Sequence, residues 1–75
     1  MSDSTGHAAE WDAGDLGCGD LVLELRIRLG DLESGEVLRL CATDPGAPAD
    51  IPAWCGLTRN PLLRAEPPLY WIARR

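Results

Sequence analysis

The segment Leu21–Leu32, which holds the longest dense apolar stretch of the chain, can be read in two ways, and the fold depends on which is right. Leu21, Leu23, Leu25, Ile27 and Leu29 alternate with Val22, Glu24, Arg26 and Arg28, the period-two pattern of a strand. The same residues also satisfy a helix. Cys18, Val22, Leu25, Leu29 and Leu32 follow spacings of four and three and make one face, which Leu23 and Ile27 would widen. Glu24 and Arg28 then form an i,i+4 pair in the favourable order. Leu and Arg are good helix formers, and β-branched residues are few. On pattern alone the two readings are close to even.

The rest of the chain is better punctuated. Met1–Glu10, rich in Ser, Asp, Gly and Ala, reads as a disordered tail (residues 1–10) that holds the only histidine, His7. A domain over residues 11–75 follows. A first strand is expected from Trp11 to about Leu16, weakened by Gly14 and Asp15. Glu33-Ser34-Gly35-Glu36 is a turn, with Gly35 supplying the permissive backbone. Val37–Ala42 reads as a strand, and Thr43-Asp44-Pro45-Gly46 breaks it. A second helix is expected after Ala47 or Pro48, its start held within a residue or two of Pro52 and its polarised end near Asp50. Ile51, Trp54, Cys55 and Thr58 share one face of it. Arg59-Asn60-Pro61 ends that helix. Leu62–Ala65 and Leu69–Ala73 are then two strands joined across Glu66-Pro67-Pro68.

Composition excludes several classes. A chain of 75 residues makes one domain whose core supplies roughly 3–5 kcal/mol. All seven basic residues are arginines against twelve acids, a net charge of −5, so direct nucleic-acid binding is not expected. Leu21–Leu29 is too short and too charged to span a membrane. The three cysteines, Cys18, Cys41 and Cys55, cannot close a disulfide framework among themselves. Met1–Glu10 lacks the charged start and apolar run of a secretory signal, so a reducing cytoplasm is expected. No cofactor or metal site is expected, since no two cysteines are close in sequence and His7 stands alone. Cys41 and Cys55 are expected in the core. Trp11, Trp54 and Trp71 are expected in core or edge packing.

Three segments together resemble the TusA/SirA-like sulfur-carrier family. They are Asp12-Ala13-Gly14-Asp15-Leu16-Gly17-Cys18, Gly35-Glu36-Val37-Leu38, and Asp44-Pro45 followed by Asp50-Ile51-Pro52-Ala53-Trp54-Cys55. The resemblance runs from about Trp11 to Arg74. It implies an α/β two-layer sandwich, βαβαββ, with Leu21–Leu32 as the first helix and both helices on one face of a four-stranded mixed sheet. The departures lie in the loop. The family's Cys-Pro-x-Pro is Cys18-Gly19-Asp20-Leu21 here. A glycine usual three residues before the cysteine is Asp15, and a Gly-His pair after the second helix is Arg59-Asn60.

The resemblance implies a persulfide carrier in a sulfur relay rather than a stand-alone enzyme. Cys18 would accept sulfur from a cysteine desulfurase or rhodanese and pass it to an acceptor protein. The pathways suggested are tRNA thiolation, molybdenum-cofactor assembly and sulfur oxidation, without a choice among them. The chemistry needs a thiolate. A free thiol has a pKa of about 8.5, which a helix N-terminus lowers. Cys18 is expected just before the first helix. Gly19 adds freedom where the family has a proline. The charges of Asp20 and Asp15 disfavour the thiolate. Against the carrier stands a non-catalytic interaction or regulatory module that keeps the fold and alters the loop.

Overall fold

A computed structural model of the chain describes residues 7–75. The helical reading of Leu21–Leu32 holds as far as Gly30: α1 spans Cys18–Gly30, between strands β1 (Ala9–Gly14) and β2 (Val37–Ala42), and Asp31 and Leu32 fall in the turn after it. Leu21, Leu25 and Leu29 are buried at spacings of four, while Leu23 and Ile27 are 59% and 54% exposed. A strand would have sent all five to one side. Leu23 and Ile27 therefore do not widen the buried stripe as expected; the helix turns them outward. Glu24 and Arg28 do pair, at 3.1 Å.

The remaining elements are α2 (Ala47–Thr58), β3 (Leu62–Glu66) and β4 (Leu69–Ala73), completing βαβαββ. The sheet order is β1-β2-β4-β3. β1 runs parallel to β2, and β4 is antiparallel to both β2 and β3. Leu38, Leu40 and Ala42 of β2, with Tyr70 and Ile72 of β4, form one core with Leu21, Leu25 and Leu29 of α1 and Ala47, Ile51 and Cys55 of α2. The expected mixed sheet with two helices on one face is the observed architecture.

Four local expectations need correction. β1 begins at Ala9, two residues before Trp11, because Ala8 N–H already bonds the Val37 carbonyl (2.7 Å) and Arg39 reaches Glu10 (3.0 Å). Ala9 and Glu10 of the expected tail thus belong to the sheet; residues 1–6 lie outside the described residues. β1 ends at Gly14, whose φ of +60° turns the chain, so Leu16 falls beyond the strand. Pro52 does not mark the start of α2, which opens at Ala47 with Pro48 in its first turn. Pro52 sits inside the helix on its exposed side, where water can satisfy the carbonyl that loses an amide partner. Cys41 is not in the core. It alternates with the buried Leu40 and Ala42 and lies half-buried on the sheet face that carries no helix.

Gly35 has a φ of +89°, as the expected turn requires. Its amide bonds the Arg74 carbonyl at 2.8 Å, which ties the α1–β2 turn to the end of β4. Arg59 closes α2 in the left-handed conformation, with a φ of 61°. Among the described residues no helix is long and apolar enough to cross a membrane.

Candidate functional site at the start of the first helix

The local sequence builds an open helix start. After Gly14, whose amide donates to Asp12 Oδ1 at 2.9 Å, Leu16 tucks half-buried against the core. Gly17 then takes an extended conformation (φ −70°, ψ 162°) as N-cap. It has no side chain, so no cap bonds the first-turn amides. The first helical bond runs from Leu21 N–H to the Gly17 carbonyl at 2.7 Å. The amides of residues 18, 19 and 20 precede it and have no acceptor within the helix.

Cys18 is the first residue of α1, one position later into the helix than expected. Gly19 and Asp20 are second and third and are exposed, as is Asp15 in the turn before them. A Cβ placed on Gly19 would meet nothing within 4 Å, so packing does not demand glycine there. The four residues read as a site from sequence are brought together, as their closeness in the chain requires.

Tertiary structure adds neighbours that local reading missed. Because β1 and β2 are parallel, the helices that follow them both start at the same end of the sheet. Thr43 N–H bonds the Gly14 carbonyl at 2.8 Å and joins the two loops. Asp44 and Asp50 converge there on Gly46, where an added Cβ would lie 3.1 Å from Asp44 Oδ2 and 2.9 Å from Asp50 Oδ2. Asp44 Oδ2 also accepts the Gly46 amide at 2.9 Å. The signal was present in the Asp-Pro and Asp-Ile-Pro segments, which mark the start of α2. The cysteine end therefore combines two positive helix poles with Asp12, Asp15, Asp20, Asp44 and Asp50, and residues 12–21 and 42–55 contain no arginine.

The two described thiols, Cys41 and Cys55, lie away from this helix start. Cys55 is only 5% exposed, and burial pushes its pKa up to about 11. Cys41 is half-buried in mid-strand. Trp11 is half-buried with the Arg28 guanidinium 4.6 Å from its ring, and Trp54 packs partly against the core. Trp71 is buried on the helix-free face beneath Arg64, 5.0 Å from its ring. His7 hydrogen-bonds Glu10 at 2.7 Å, and that bond, then Arg39, holds the exposed Glu10 carboxyl below its usual range.

Residues 9–73, from the first residue of β1 to the last of β4, match the family described as Sulfurtransferase TusA. The chain belongs to the TusA family. It is similar to the sulfur carrier protein TusA of Pseudomonas entomophila, 37% identical over 92% of this chain and 91% of that protein. A TusA of Pseudomonas syringae pv. syringae is 35% identical over 89% of this chain and 84% of its own length. A putative sulfur carrier protein of Bacillus subtilis, YrkF, is 40% identical over 73% of this chain but only 30% of its own length. The TusA match covers every element of the fold, the start of α1 included.

Proposed function

We propose that this chain is a sulfur carrier that holds sulfane sulfur on Cys18 as a persulfide. The observation that carries the reading is the position of Cys18 at the open start of α1, in a chain whose relatives are named sulfur carriers. The thiolate of Cys18 attacks the outer sulfur of a donor persulfide. A new S–S bond forms to Cys18, the donor's S–S bond breaks, and the donor leaves as a thiolate with no net oxidation. The reverse arrangement hands the sulfur to an acceptor. Three first-turn amides without an acceptor in the helix, together with the positive helix pole, favour both anionic forms.

Asp20 and Asp15 act in the opposite sense, and Gly19 loosens the loop. The donor is a cysteine desulfurase or rhodanese, the acceptor is a second protein, and the setting is the reducing cytoplasm. The acidic rim suits a donor whose docking surface is basic.

The test is mass spectrometry after incubation with a persulfide donor. Cys18 should gain one sulfur atom, about 32 Da, and Cys18→Ser should not. An adduct that persists in the variant, or never forms, refutes the proposal. The five aspartates also favour a second reading, a non-catalytic interaction module. Alkylation near neutral pH separates the two: a carrier cysteine reacts far faster than buried Cys55, and equal protection leaves only the module.

A further inference from the structure

We infer that the end of the molecule opposite Cys18 carries a separate binding groove for a short acidic segment of a partner protein. The first observation is how the arginines are paired. Arg28, Arg39 and Arg64 are in ion pairs with Glu24, Glu10 and Glu66. Arg26, Arg59, Arg74 and Arg75 make no ion pair among the described residues. Three of those four line a single cleft of about 420 Å³, and no acidic side chain among the described residues lines it. In a chain of net charge −5, a patch with three cations and no acid is against the trend of the surface.

The cleft lies between the last turns of α1 and α2 and the chain after β4. Helix α1 has 13 residues, which sets this end about 20 Å from Cys18. Two helix C-termini meet here, each worth about half a negative charge. They help to hold the arginines and cannot neutralise three of them. The floor is partly ordered: Asn60 Oδ1 accepts the Arg75 amide at 2.9 Å, Asn60 Nδ2 donates to Thr58 Oγ1 at 3.0 Å, and Thr58 Oγ1 donates to the Trp54 carbonyl at 2.9 Å.

The lining decides the class of ligand. The half-buried Trp54, with the nearly buried Leu29 behind it, supplies apolar wall beside the cations. A bare oxyanion would leave that wall unused. A nucleic-acid strand would extend past the groove onto a surface whose net charge repels it. A peptide with carboxylates flanking an apolar side chain uses both the arginines and the wall, and touches little else.

The probe is a fluorescein-labelled peptide, Asp-Glu-Leu-Asp-Glu, titrated with the whole chain at low salt and read by anisotropy. Saturable binding is expected, weakened about three- to tenfold in Arg26→Gln and in Arg74→Gln and unchanged in Arg64→Gln, whose arginine lies outside the groove. Binding should fall with added salt and when the probe's Leu is replaced by Ser. No saturable binding, equal loss in Arg64→Gln, or indifference to the Leu-to-Ser change overturns the assignment. So does tighter binding of a labelled single-stranded RNA through the same arginines. Circular dichroism of each variant establishes that loss of binding is not loss of fold. Persulfide loading of Cys18 does not enter this readout, so the two readings fail separately.

Discussion

Replacing Tyr70 with Phe should stabilise the protein. Tyr70 is fully buried on the helix-covered face of β4, opposite Leu40 of β2 and Ala65 of β3. Its hydroxyl has no hydrogen-bond partner among the described residues. Burial alone raises its pKa, as expected for a phenol with no polar neighbour to favour its ionised form. Burying an unpaired hydroxyl costs about 1–3 kcal/mol on the scale set by protein mutations. Phe keeps the ring and removes that cost. The vacated space is smaller than a methylene, so the lost packing is below about 0.8 kcal/mol. The net gain is between a few tenths of a kcal/mol and about 2 kcal/mol. In a domain of this size each kcal/mol moves Tm by roughly 4–8 °C. Thermal and urea melts of both proteins measure it, with coincident transitions by two probes as the two-state check. An unchanged or lower Tm would refute the reasoning and mean that the Tyr70 hydroxyl is paired, through water, in solution.

Two further outcomes follow from the thiols. The Cys55 pKa is raised from 9.0 unfolded to about 11 folded, so the fold favours the neutral thiol. Its contribution is complete below about pH 9 and is lost as pH rises through 11, about 2–3 kcal/mol in all. Alkaline urea melts should show a steeper loss for the natural chain than for Cys55→Ala, and parallel curves would exclude this burial effect. Asp20→Asn keeps the size of the third residue of α1 and removes its charge, so it should lower the Cys18 pKa by a fraction of a unit, up to about one unit. A pH series of alkylation rates should also show the difference shrinking in high salt; an unchanged or raised pKa means that Asp20 does not act by charge.

The helix start at Cys18 is a local property and was legible in the residues. Gly17, Cys18, Gly19 and Asp20 adjoin one another, and a helix start requires no distant partner to leave its first amides open. The same holds for the Gly35 turn, for Val37–Ala42 and Leu69–Ala73 as strands, and for the Glu24–Arg28 pair. Each depends on backbone preference or on contacts within four residues.

What only the tertiary structure decided is whatever depends on a partner far along the chain. Leu21–Leu32 carries both periods, and a helix wins because a layer over the sheet can bury Leu21, Leu25 and Leu29 together. Parallel pairing of β1 with β2 brings Asp44 and Asp50 to the cysteine's end, though more than twenty residues separate them from Cys18. Alternation along β2 could be read from sequence, but only the helices' choice of face put Leu40 in the core and Cys41 outside it. Arg26, Arg74 and Arg75 line one cleft because the end of β4 returns beside the last turn of α1. Periodicity records which residues share a side of their own element. The energy that chooses the side comes from surfaces brought together by folding, and no local pattern contains it.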